Sequence, residues 1–157
     1  MTGRHSAKLI GVISDTHGLL RPEAVEALKG VELILHAGDI GKPEVLTELE
    51  KIAPVVAIRG NNDRDAWALE VPEVRDVEIG GLAFHILHDL KQLAVDPSRY
   101  DVIVAGHSHK PKIEEKDGVL YLNPGSSGRR RFKLPVTVAR LKINDGRPEA
   151  AIIELAV

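Results

Sequence analysis

Between residues 9 and 63 one pattern recurs three times: a short run of Ile, Val and Leu stops at glycine and polar side chains. Leu9 to Ser14 runs into Asp15, Thr16, His17 and Gly18; Leu33 to Leu35 leads into His36, Ala37, Gly38 and Asp39; Val55 to Ile58 leads into Gly60, Asn61, Asn62 and Asp63. Apolar runs this short, rich in β-branched residues and bounded by turn formers, read as buried strands. Helical stretches separate them. Pro22 opens the first, with Val25 and Leu28 three apart and Gly30 as a stop; Pro43 opens the second, which carries Val45, Leu46 and Leu49. The order is strand, helix, strand, helix, strand. In sheets of this kind sites form beyond the carboxyl ends of the strands, where loops converge while helices cover the faces.

After Val74 the reading changes. Val77 to Ile79 and Leu82 to Leu87 flank Gly80 and Gly81 as a hairpin, with His88 directly behind it. Val102 to Ala105 is a fourth apolar run, ending in Gly106, His107, Ser108 and His109. Two further hairpins follow: Lys112 to Glu115 with Val119 to Leu122 around Asp117 and Gly118, and Val136 to Ile143 with Ala150 to Leu155 around Asp145 and Gly146. The expected class is α/β, a mixed β-sandwich flanked by helices, with its site at the C-terminal ends of the strands. At 157 residues the chain is expected to form one domain over 1–157, with His5 in a flexible start.

Composition narrows the chemistry. An apolar fraction of 43% and a charged fraction of 28% exclude a disordered chain. There is no cysteine, so any metal must be held by imidazole, carboxylate or amide oxygen. A formal charge of −2 implies no strong nucleic-acid binding. The run Leu9 to Ile13 is far short of the roughly 20 residues that span a bilayer, so a cytoplasmic protein without a membrane partner is expected. Exposed strand edges could pair copies into a homo-oligomer.

Asp15 and His17 are two apart, so a continued extended backbone would point both to the same side. Alone, such a pair is usually an accident of a polar loop. His107 and His109 repeat the spacing, and Gly106 gives their backbone room to turn both rings inward. Asp39, Asn61 and His88 add donors at other strand ends. The mixed set suits manganese, iron, cobalt, nickel or zinc, with manganese the expected occupant. There are more donors than one ion takes while keeping an open position. Two ions sharing Asp39 would use them all, and such pairs, about 3.5–4 Å apart, hydrolyse phosphate esters with a bridging hydroxide.

In order, the blocks Asp-x-His, Gly-Asp, Gly-Asn-x-Asp, a lone His and Gly-His-x-His resemble the calcineurin-like metallophosphoesterase superfamily, in particular its small single-domain bacterial and archaeal phosphodiesterases. The resemblance covers nearly the whole chain. It implies a first metal held by Asp15, His17, Asp39 and His109, and a second held by Asp39, Asn61, His88 and His107. It implies hydrolysis of small phosphodiesters; a phosphomonoesterase or nucleotidase, and a non-catalytic interaction scaffold of the same fold, are the alternatives. Two departures stand out. Asn62 occupies a place where many members carry His or Cys, which removes a proton donor and favours good leaving groups. Asp89 and Leu90 follow His88 where Gly-His is frequent, which puts a substrate contact in doubt.

Other residues have plainer readings. His36 is expected as a hydrogen-bonded core residue and His85 as a packed or exposed strand residue. Asp63 reads equally as an orienting group near the ligands or as an Asx turn. Trp67 is expected to pack beneath its loop, Arg129 to Arg131 to be a solvated face, and Asn123 to Ser126 to form a type II turn.

Overall fold

The computed structural model describes Thr2–Arg131 and Lys133–Val157. Strands β1 (Thr2–His5), β2 (Leu9–Ile13), β3 (Leu33–His36) and β4 (Val55–Ala57) are followed by β5 (Val74–Ile79), β6 (Leu82–Leu87) and β7 (Val102–Val104). Then come β8 (Lys112–Lys116), β9 (Val119–Asn123), β10 (Thr137–Asn144) and β11 (Arg147–Glu154); helix α1 is Pro22–Ala27 and α2 is Pro43–Glu50. They make two mixed sheets, ordered β1-β5-β6-β7-β9-β8 and β11-β10-β2-β3-β4. The expected repeat is the parallel trio β2, β3 and β4, whose crossovers are α1 and α2.

Side-chain alternation separates three apolar layers. The largest fills the space between the sheets, where Ile10 and Val12 of β2 meet Phe84 and Ile86 of β6 and Val102 and Val104 of β7. A second lies between the outer face of the β2 sheet and the helices, with Ile13 and Ile34 against Ala24, Leu28, Val45 and Leu49. The third is small: Leu87, Ile103, Ala105 and Val119 on the outer face of the β6 sheet, with Leu93 and Tyr100 over part of it. Both helices therefore serve one sheet. Among the described residues the outer face of the other is covered only by the segment after β6, which forms short 3-10 turns at Leu90–Gln92 and Pro97–Arg99.

The start of the chain corrects the expectation of a flexible leader. β1 pairs in parallel with β5, placing His5 opposite Ile79. Residues this polar carry no strand signal of their own, and it is the free edge of β5 that orders them. β11 likewise begins at Arg147, earlier than expected, because Pro148 and Glu149 hide an edge strand that needs little apolar content. Its turn is Asp145-Gly146 with φ of 51° and 74°, and Asp117-Gly118 repeats this at 52° and 79°. Both match the left-handed pair of a two-residue hairpin turn.

Phe84 is fully buried between the sheets. Phe84→Ala should lower the unfolding free energy by about 3–5 kcal/mol in a urea titration, the usual result when a large core ring is removed. A loss below about 1 kcal/mol would contradict this packing.

Candidate metal centre

The loops that follow β2, β3, β4, β6 and β7 meet at one end of the sandwich. Register brings them together: Asp15 N–H donates to Gly38 O at 3.0 Å, His17 N–H to Asp39 O at 2.9 Å, and Gly106 N–H to His88 O at 2.9 Å. The two sheets are joined here because His107 N–H donates to Asp15 Oδ2 at 3.1 Å. Asp15, His17, Asp39, His107 and His109 all have positive φ, between 48° and 69°. This corrects the extended geometry expected for Asp15 and His17. Each chain coils back at the strand end, and the convergence comes from left-handed turns, a strained state for residues with a Cβ that clusters at functional sites.

Close approach sets the glycines. A Cβ on Gly106 would run into Ser14 Oγ and lie 2.7 Å from Asp15 Oδ2, so Gly106 is required for space rather than for the conformational freedom expected of it. A Cβ on Gly60 would collide with the Asp39 carboxylate.

Five predicted donors face one another. Asp15 Oδ1 lies 3.4 Å from His109 Nε2 and 3.8 Å from both His17 Nε2 and His88 Nε2. Asp39 Oδ2 lies 3.2 Å from His88 Nε2 and 3.7 Å from His17 Nε2. Two groups are compact enough to share an ion: Asp15, His17 and His109, and Asp15, Asp39 and His88. Donors about 2.0–2.2 Å from one ion stand roughly 3–4 Å apart, which is the observed spacing. His107 turns Nδ1 toward the same place, 3.3 Å from His88 Nε2. Asn61 is exposed and lines an adjoining cleft with His88 and His107.

Several neighbours hold these donors, by contacts that sequence reasoning did not foresee for Asn62 and Ser14. Asn62, beside Asn61, grips Asp39 with its backbone N–H on Oδ1 and its side-chain amide on Oδ2, both at 3.0 Å. Ser14 Oγ donates to Asp15 Oδ2 at 2.7 Å. Neither residue type is distinctive in a polar loop, so only the contact reveals the role. Asp63 accepts from the backbone N–H groups of Ile40, Gly41 and Gly60 at 2.9–3.0 Å, so it clasps the β3 and β4 loops together instead of touching a donor side chain. His36 is fully buried, contacts Thr16 Oγ1 at 3.0 Å and accepts from Gly38 N–H. His85 is buried against Asp76, away from the centre.

Residues 9–146 match the calcineurin-like phosphoesterase superfamily domain. The chain belongs to this superfamily. A relative from Methanothermobacter thermautotrophicus, described as a probable metallophosphoesterase, is 41% identical over 92% of this chain and 91% of its own length. A phosphodiesterase of Methanocaldococcus jannaschii is 34% identical over 74% of this chain and 82% of its own. Vacuolar protein sorting 29 of Cryptosporidium parvum has the same fold, with a TM-score of 0.73 over 97% of this chain and 100% of that one at 23% identity.

Calcineurin-like phosphoesterases are metal-dependent, and the charges of this one suit a cation. Asp15 Oδ1 is buried with no hydrogen-bond partner among the described residues. An uncompensated carboxylate oxygen in such a place is costly unless a positive charge meets it. Burial would depress the His88 imidazole, but its contact with Asp39 and the charge of Asp15 push it up to about 9. Burial opposes the charge on Asp39, yet His88 and the Asn62 N–H bring its carboxyl down to about 2. Asp15 is also lowered, the His109 contact and the His88 charge outweighing burial. His36 goes the other way, to about 4, because burial dominates, and it is neutral. His88 donates Nδ1–H to Ala37 O at 2.7 Å, which aims Nε2 at the carboxylates.

A proton on His88 thus occupies the place of a cation below about pH 9. Metal uptake at pH 7 must displace it, so affinity should fall as pH drops, about tenfold per pH unit for one proton. Calorimetric titration with manganese in two buffers of different ionisation heat checks this. Equal heats in both would mean that no proton leaves.

Proposed function

We propose that the protein is a two-metal phosphodiesterase acting on small diesters. The observation that carries this reading is the convergence of Asp15, His17, Asp39, His88 and His109 around an unpartnered buried carboxylate oxygen. Asp15, His17, Asp39 and His109 would hold one ion; Asp39, Asn61, His88 and His107 would hold the other. Asp39 suits the bridging role because its Oδ2 is within 3.7 Å of a histidine from each set. When bound, such an ion pair polarises phosphoryl oxygens and lowers the pKa of a water toward neutrality. Manganese is the occupant we favour. A diester rather than a monoester is supported by the surroundings: two clefts leave the centre, sharing Asp89 and His107, which gives each ester arm its own exit. The phosphodiesterase relative points the same way.

The chain supplies little proton chemistry of its own. His88 has one nitrogen tied to Ala37 O and the other facing Asp39, and on this reading His107 and His109 serve as donors to a cation rather than as bases. Asn62 is bonded to Asp39 and has no acidic proton, so no side chain there protonates a departing alkoxide. Diesters whose leaving group departs as a stable anion should be preferred.

Chelator-stripped protein should hydrolyse bis-para-nitrophenyl phosphate only after manganese is restored, and folded Asp39→Asn should lose more than about 100-fold in kcat/KM. Retention of most activity by that variant would remove Asp39 from the bridge. Asn62→His should raise turnover of alkyl diesters relative to nitrophenyl diesters by about tenfold, the low end for general acid assistance. An unchanged ratio would show that leaving-group protonation is not what limits this site.

A further inference from the structure

The larger of the two clefts has a chemistry of its own. It encloses about 580 Å³, within the range of small-molecule sites. Its floor is the outer face of the β6 sheet: Ile103 of β7 and Ala105 just after it point away from the sandwich core, and Tyr121 of β9 stands beside Ile103 in register. Among the described residues no α-helix covers this face, and the segment after β6 reaches over only part of it. Leu90 forms one wall and is 44% exposed, although it is a large apolar side chain. His107 marks the end that opens onto the metal centre.

Several polar groups around this floor are already engaged. Asn123 Nδ2 donates to Gly106 O and Ser108 Oγ at 3.0 and 3.1 Å, and its Oδ1 accepts from Gly125 N–H at 2.8 Å. Asp89 Oδ1 accepts from Lys91 N–H, and its Oδ2 lies 3.7 Å from His107 Nε2. Lys112 is paired with Glu114 at 2.8 Å. Two cations are left. Lys91, from the wall, and Lys110, from the loop after His109, form no ion pair among the described residues. A ligand would meet an apolar slot with a tyrosine ring and two ammonium groups at its rim.

We propose that this cleft seats one ester arm of the substrate, and that the arm is a flat unsaturated ring bearing a second negative charge. The proposal rests on the phosphodiesterase reading and names its substrate class. The ring lies over Ile103 and Ala105 beside Tyr121 and is closed in by Leu90. Its charge reaches Lys91 and Lys110, while the phosphodiester sits past His107 at the ions. Asp89 and Leu90, which depart from the pattern of similar proteins, then have a use: Leu90 supplies the apolar wall, and Asp89 faces His107 at the junction. A ring with no charge would leave both lysines unused, and an alkyl arm would leave most of the floor wet.

Two measurements test this, one independent of turnover. Zinc-loaded protein labelled with nitrogen-15 is titrated with 4-hydroxybenzoate, the arm by itself. Amide shifts should gather at Leu90, Lys91, Ala105 and Tyr121, and Leu90→Ala should weaken the apparent affinity about fivefold. Shifts confined to the metal-site residues, meaning coordination only, or shifts gathered elsewhere, overturn the assignment. In the second, manganese-loaded protein hydrolyses 4-carboxyphenyl 4-nitrophenyl phosphate and phenyl 4-nitrophenyl phosphate. The ratio of their kcat/KM values should fall about three- to tenfold in the Lys91→Gln, Lys110→Gln double variant, and stay constant in the surface control Leu69→Ala. An unmoved ratio in the double variant removes the second charge from the proposal. Amide shifts at the cleft with no hydrolysis of either diester would uphold the cleft as a ring-binding site and refute the phosphodiesterase reading instead.

Discussion

Asp15 and Asp39 are both buried, and each has an oxygen facing the same small space between the two sheets. Two carboxylates so close, with little water, repel each other unless positive charge lies between them. His88 supplies it when it holds its proton, and a divalent cation supplies it better. Much of the surrounding backbone is arranged around this pair. Ser14, Asn62 and the His107 N–H hold the outward oxygens, while left-handed turns carry each donor inward.

Those turns explain why the site lies where strands stop. A continued strand would send both members of an Asp-x-His or His-x-His pair to one face but space them about 6.6 Å apart along it, wider than the spacing of donors around one ion. Coiling back at Asp15, His17, His107 and His109 solves the geometry locally. The conformational cost is met by hydrogen bonds across the end of the sandwich and by the clasp of Asp63 on the β3 and β4 loops. Binding a cation in a site prepared this way leaves the backbone little to reorganise, the condition under which fixed charges act most strongly on a reacting phosphate.

The unequal cover of the two sheets has a functional side. The β2 sheet is backed by α1 and α2, which bury its outer face. Among the described residues the β6 sheet has only a looped segment over Ile103 and Ala105, so an apolar strip runs toward His107 beside the candidate metal centre. An apolar strip left open beside polar groups in this way has the make-up of small-molecule sites.

Sequence alone determined the strand-helix-strand-helix-strand start, the Asp-Gly hairpins and which polar residues stand at the strand ends as candidate metal donors, because these depend on local patterns: short apolar runs, Pro at helix starts, Gly and polar residues where strands end. The seven named donors lie in loops that the fold brings to one end, five of them in tight groups. Only tertiary structure decided the rest. Strand β1 forms because β5 offers a free edge, which His5 and its neighbours do not announce. Asn62 grips Asp39, Asp63 reaches the N–H groups of Ile40 and Gly41 as well as that of nearby Gly60, and Leu90 walls a cleft floored by β7 and β9, contacts made with residues distant in the chain. A residue's type and spacing fix what it can donate or accept; what it faces depends on how non-local strands are paired, and that is settled only when the two sheets close on their shared core.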